Sequence, residues 1–246
     1  MKLKSFVLGV LCAFALTNIA GATYDLDKIA KETLPKSFTY TAGKEERLFK
    51  HPGGETPYRM GQLTALLKRS ARFSSGWLIS AEMPDEGAEK LKPYFKTNLT
   101  DKEWRGLISL NRALMNKESN FRKNIDRALA EWAQEFMGDM AKGAKTDIID
   151  IEPYRRLSAD DAWLYTAGAK IIFDSDGIIT PLYARAYFFR DGEHLDLLML
   201  LAPDEGKDPL LYAVNDLAKA AAKATFEKTE EETPLEVMLG KKQQGN

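Results

Sequence analysis

The amino-acid sequence predicts an α+β protein in which helices pack an antiparallel sheet. Three features carry that reading. Two turn signals, Asp174-Ser175-Asp176-Gly177 and Arg190-Asp191-Gly192-Glu193, separate apolar runs of strand length. Thr100 and Glu103 stand at capping-box spacing before a long stretch of helical periodicity. Asp208-Pro209 places a capping carboxylate and a first-turn proline ahead of an alanine- and leucine-rich stripe. The expected architecture is a meander of three longer strands near 163–201, joined by N-terminal strands and packed by helices near 101–142 and 208–226.

The first segment has a different character. Lys2 and Lys4 precede an uncharged apolar run from Phe6 to Leu16, and Ala20-Gly21-Ala22 supplies a small-residue cleavage site, the layout of a secretory signal peptide. A membrane-spanning helix needs about 20 apolar residues, and Thr17 and Asn18 interrupt this run. Cys12 follows Val10 and Leu11 mid-run, without the small residues a lipidation site requires. Cleavage after Ala22 is therefore expected, with an uncleaved anchor as the alternative and no stable membrane span after cleavage.

Cleavage would remove the only cysteine, and with it disulfides, a thiol nucleophile and thiolate metal ligands. It would leave 33 basic residues against 36 acidic ones, a formal charge of −3. That balance does not point to nucleic acid or to an anionic membrane. A composition 44% hydrophobic and 29% charged is that of a globular protein long enough to build a core. The expected division is a single α+β domain over 23–228, with a helical middle at about 85–143, a strand-rich part at about 147–202 and a terminal helix at about 208–226. A polar, flexible tail is expected over 229–246. The sequon Asn98-Leu99-Thr100 matters only in a host that glycosylates, and the signal segment has a bacterial look.

Along the chain, Ser37 to Thr41 and Arg47 to Lys50 read as short strands around Ala42-Gly43. Thr56-Pro57 reads as opening a helix through about Arg69, and Trp77 to Met83 as a strand. His51-Pro52-Gly53-Gly54 lacks the lysine and the strand-to-helix context of a phosphate loop and is read as a turn. Pro84 to Gly87 opens a short acidic helix that Pro93 ends or kinks. In the middle, Trp104, Leu107, Ile108, Leu114 and Met115 share one helical face. Phe121, Ile125, Ala128, Leu129, Trp132, Phe136 and Met140 form a second stripe, with Arg122 and Asp126 facing away. A break is expected at Asn116 to Asn120, with Glu118 pairing Arg122 one turn on.

The strand-rich part allows a register to be derived. A two-residue Asp191-Gly192 loop sets Phe188 opposite Leu195, Ala186 opposite Leu197, Ala184 opposite Met199 and Leu182 opposite Leu201. A four-residue loop over 174–177 sets Phe173 opposite Ile178, and carries Trp163, Tyr165, Ala167 and Ala169 onto the same apolar face. The stripe Leu210, Leu211, Val214, Leu217, Ala218 and Ala221 is expected to lie on that alanine-lined face. The opposite, solvated face then gathers Arg185, Tyr187, Phe189, His194 and Asp196, with Thr166 across from Arg185.

That group is the candidate ligand- or partner-binding surface. His194 and Asp196 offer a base and an orienting carboxylate, and Arg185 an anion clamp. No serine or cysteine nucleophile stands in register with them. No catalytic residue is assigned, and no cofactor is expected. No metal site is expected either: His51 and His194 are the only histidines, and Asp174 and Asp176 lack the partners of a calcium loop.

The order of short strands, helices, the meander (Trp163 to Phe173, Ile178 to Phe189, His194 to Leu201) and the helix after Asp208-Pro209 resembles the PsbP and Mog1-like α/β sandwich group, over about the last hundred residues. The resemblance rests on layout and implies a noncatalytic adaptor or assembly role. The functional expectation is an exported binding or assembly module of the cell envelope or extracellular space, periplasmic or secreted. Its partner would be an envelope or extracellular protein or a small apolar ligand. A hydrolase with a carboxylate and histidine site, or a carrier of an apolar molecule between sheet and helices, are the alternatives. Intact mass of the protein recovered from its native host should correspond to a chain beginning at Thr23, with no titratable thiol. Recovery of a chain that retains Cys12 would contradict the cleavage.

Overall fold

The structure, a computed structural model, describes residues 24–51, 54–67, 72–83, 100–120, 122–123, 126–127, 145–156, 164–175, 177–191 and 194–232. The expected signal peptide (1–22), the acidic helix after Pro84, the Phe121 to Met140 stripe and the tail beyond Glu232 lie outside the described residues.

The described residues open with α1 (Leu26–Thr33), followed by β1 (Phe38–His51), β2 (Gly54–Leu67) and β3 (Arg72–Met83). Helix α2 (Asp101–Met115) precedes β4 (Lys145–Arg156), β5 (Leu164–Ser175), β6 (Ile178–Asp191) and β7 (His194–Pro203). A 3-10 turn (Asp204–Gly206) leads into α3 (Lys207–Glu232). The seven strands among the described residues form one antiparallel sheet in the order β1-β2-β3-β7-β6-β5-β4. Two consecutive runs of hairpins thus meet where β3 pairs with β7.

β3 contains the strand expected over Trp77 to Met83, whereas β1 and β2 correct the other N-terminal expectations. β1 is one strand of 14 residues, interrupted where the register slips between Ala42 and Glu46. The segment expected as a helix from Thr56 is β2, whose alternation buries Leu63 and Ala65 while leaving Gln62 and Leu66 exposed. Period-two burial outweighs the helix-start signal of Thr56-Pro57 once partners stand on both sides.

Both hairpins of the second run keep the expected faces but move their turns. Asp191 pairs with His194, so Phe188 lies opposite Leu197, Ala186 opposite Met199 and Ala184 opposite Leu201. Ser175 pairs with Ile178, which sets Tyr165 opposite Phe188 and Ala167 opposite Ala186. Each hairpin is offset from the derived register by two in the sum of paired positions, which preserves every side chain's face. Gly177 sits at φ +85°, where a side chain would be strained, and its amide is held by Asp174 Oδ1 at 3.0 Å.

The larger correction concerns which face receives the terminal helix. α3 packs on the face carrying Leu63, Ala65, Leu78, Leu164, Tyr187, Phe189, Leu198, Leu200 and Ala202, opposite to the alanine-lined one. Leu210, Val214, Leu217, Ala218 and Ala221 are fully buried against it. α1 adds Leu26, Ile29 and Ala30 to the same core. The other face is buried at its centre too, by Ile79, Ala81, Phe188, Leu197 and Leu201. A sheet buried on both sides shows little alternation, so pattern alone does not say which side a helix takes.

At the β4 edge, Arg122 is 1% exposed rather than facing solvent. Its guanidinium donates to Asp126, to Asp147 Oδ1 at 2.6 Å and to the Ile148 carbonyl at 2.7 Å. The break after α2 is present at residues 116–119, where Ser119 Oγ donates to the Ala113 carbonyl. Glu118 pairs with Lys123. Arg122 therefore ties the post-α2 segment to an edge strand. Ile108 and Met115, placed on the inner stripe from sequence, are exposed.

Truncating a buried residue of α3, Leu217→Ala, should cost about 2–5 kcal/mol. Tyr212→Ala, at a site 76% exposed, should stay within about 0.5 kcal/mol. Urea denaturation compares the two, and equal costs would contradict the assigned helix face.

Candidate functional site

The five residues expected to form one surface are divided by the fold. Arg185, Tyr187, Phe189 and Asp196 are all buried on the face under α3, so that face is covered rather than solvated. Phe189, not Tyr187, lies opposite Asp196, and Thr166 lies opposite Tyr187. His194 pairs with Asp191 at the hairpin end, and its side chain lies outside the described residues.

Arg185 and Tyr187 belong to a polar cluster along one flank of α3. The Arg185 guanidinium pairs with Glu152, stands 5.5 Å from the centre of the Tyr183 ring, and keeps a buried Nε with no hydrogen-bond partner among the described residues. Tyr183 donates its hydroxyl to the same glutamate, and Lys207 lies 5.3 Å from the centre of the same ring. Asp204 binds Lys170 and Lys207, whose hydrogen bonds hold its carboxyl below the ordinary range. Tyr187 donates to Asn215 Oδ1 at 2.8 Å, which fastens α3 to β6. Burial pushes both tyrosines well above their usual titration range, and Glu152 adds to the shift at Tyr183. Tyr187 and Lys207 tie α3 to the sheet, whereas Arg185 and Tyr183 join β6 to β4 through Glu152.

Phe189 and Asp196 support a different place. Tyr24, just ahead of α1, packs against Phe189 with the rings tilted by 60° and their centres 5.1 Å apart, and donates its hydroxyl to the Leu197 carbonyl at 3.1 Å. Burial raises the Tyr24 phenol far above its normal range, with the Asp196 charge adding to it and a Ser80 hydrogen bond opposing it. Tyr24 and Ser80 form the floor of a cleft of about 300 Å³. One wall is the start of α1, with Asp25, Leu26 and Asp27, and the other is β1 and β2, with Tyr40, Ala42, Gly43, Lys44, Glu46 and Arg59.

The cleft exists because β1 bulges. Two residues are inserted between the Ala42–Gly61 and Glu46–Arg59 pairs, which bends the edge strand. A Cβ on Gly43 would run into the Met60 carbonyl oxygen, and one on Gly61 into the Tyr40 ring. Two glycines thus let the bulge close on β2 and the tyrosine lie over the strand. Asp25 caps α1 by accepting from the Lys28 amide at 3.0 Å. Glu46 and Arg59 stand 3.8 Å apart and remain largely open to solvent. The Tyr40 hydroxyl lies within the fields of both Asp27 and Arg59.

Sequence reasoning missed Tyr24, Tyr40, Arg59 and Ser80. The available signal was glycine inside strand-like runs, at Gly43 and Gly61. The helix assigned from Thr56 concealed the second of these. Among the described residues, no group of three or more His, Cys, Asp or Glu side chains is placed to hold a metal ion. No family model, curated protein or solved structure matches the chain.

Burial and then Asp27 push Tyr40 up to about 12, against Arg59. A folded-state value above the unfolded one of 10.0 gives stability that is intact below pH 10 and lost as pH climbs toward 12. Urea denaturation across that window should show a shallower alkaline fall for Tyr40→Phe than for the parent chain. Identical slopes would contradict the buried setting of this phenol.

Proposed function

We propose that this chain is an exported, noncatalytic binding or assembly module of the cell envelope or extracellular space, and that the cleft between α1 and the β1 bulge is where it binds. The cleft is the observation that carries this reading. It is concave, floored by buried Tyr24 and Ser80, and rimmed by charges of both signs on separate elements. A few placed polar groups around a small hollow are what recognition of a small molecule or a chain end requires. Phe189 and Asp196, expected from sequence as binding residues, contribute from beneath by setting Tyr24. Tyr187 contributes by fastening α3 through Asn215, and Arg185 by joining β6 to β4 through Glu152.

Two further points support the reading. The segment before Tyr24 has the composition of a cleavable export signal, and no helix of the described residues is long and apolar enough to cross a membrane. The resemblance of the last hundred residues' element order to the PsbP and Mog1-like group would imply an adaptor role by fold-level analogy. In this reading the finer arrangement, a meander over 163–201 and a helix over 208–226, is the scaffold that holds the cleft's floor.

Affinity capture from the native host, with mass analysis of bound proteins and small molecules, tests it. Lys44→Glu combined with Arg59→Glu changes two exposed rim positions and should leave thermal unfolding within a few degrees of the parent. The double variant should lose what the parent captures. An unchanged captured set would contradict a role for this cleft.

A further inference from the structure

We infer that the cleft takes a small zwitterion, an α-amino acid or dipeptide with both a free ammonium and a free carboxylate; this rests on the binding reading above and specifies its ligand.

The α1 wall presents Asp25 and Asp27, whereas the cations, Lys44 and Arg59, both come from the sheet wall. On the α1 side, one oxygen of Asp25 is engaged by the helix cap. Asp25, Asp27 and Glu46 are all exposed at the cleft, and Asp27 lines it on the α1 side next to the capping Asp25. On the sheet side, Glu46 meets Arg59 only at 3.8 Å, through Nε. The planar fork of an arginine offers further donors suited to a carboxylate, and the Lys44 ammonium lies on the same wall.

A simple anion entering this space would meet the Asp27 carboxylate, and a simple cation would meet Lys44 and Arg59. A neutral molecule with separated charges gains at both walls, its ammonium toward α1 and its carboxylate toward β1 and β2. Tyr40 lines the same hollow, and its hydroxyl, able to donate or accept, can serve either end of the ligand. Size narrows the class. A volume of about 300 Å³ is at the lower end for small-molecule sites, about 300–1,000 Å³. That suits an amino acid or a dipeptide better than an extended polymer. The floor is uncharged where a side chain would rest, being the Tyr24 ring and Ser80.

Isothermal titration of the full mature chain with Ala-Ala, N-acetyl-Ala-Ala and Ala-Ala-amide tests the assignment. The free dipeptide should bind, and blocking either end should weaken binding about ten-fold or more, the loss of a charge-assisted contact. Arg59→Gln should bind the free dipeptide no better than the parent binds the amide. Asp27→Asn should reduce it to the level of the acetylated form. Both positions are exposed, and unchanged thermal unfolding checks that each variant folds. Equal binding of free and blocked forms would overturn the inference. So would a neutral disaccharide binding where Ala-Ala does not. If Ala-Ala fails while capture from the host still depends on Lys44 and Arg59, the ligand class falls and the binding module stands. If both fail, the cleft itself is the wrong site.

Discussion

The pairing of β3 with β7 joins two otherwise local hairpin runs, and both the core and the cleft are consequences of that seam. Met83 lies opposite Leu195, far along the chain, and the ladder continues to Trp77 opposite Leu201. Every other strand pair in the sheet is consecutive in sequence. Closing so long a loop has an entropic cost, and the residues at the seam show how it is offset. Leu78, Ile79, Ala81, Leu197, Leu198, Leu200 and Leu201 are at most 4% exposed, so apolar side chains are buried on both faces of the same two strands. Without the seam, α3 would have no continuous floor, because its core spans β2, β3, β6 and β7.

The cleft inherits its position from the same pairing. Ser80 is on β3 and Leu197, which accepts the Tyr24 hydroxyl, is on β7. Tyr24 therefore spans the seam and fixes the start of α1 above it. The fully buried Asp196 beneath Tyr24 is the expensive element of this arrangement, since a carboxylate removed from water needs partners to be tolerated. The bulge at Ala42 to Glu46 completes the hollow from the edge side. Rigid floor and bent edge together give a recess whose charged groups sit on different elements.

Much of the second half of the fold was legible because turn chemistry and apolar runs agreed there. Asp-Gly pairs marked the two hairpins, and the faces assigned to Phe188, Ala186, Leu197 and Met199 are those observed. What the pattern lacked was a means of distinguishing registers separated by two, since all these residues remain apolar on either choice. The side taken by α3 was hidden for a related reason. Tyr187 and Arg185 look like solvated residues in sequence, yet their polar heads find Asn215 and Glu152 while their bodies lie in the interior. In the first half, β2 was obscured by a proline that reads as a helix start but pairs with Leu48 in the strand. The cleft was not legible because its parts come from positions 24–27, 40–46, 59 and 80, brought together only by the sheet.

Whether this recess binds a ligand is tested most directly by a crystal structure of the protein isolated from its native host without exchange of bound material. Ordered density for a small molecule is expected between Asp27 and Arg59, resting over Tyr24 and Ser80. A recess filled by the protein's own side chains, or ligand density confined to the Arg185 flank of α3, would contradict it.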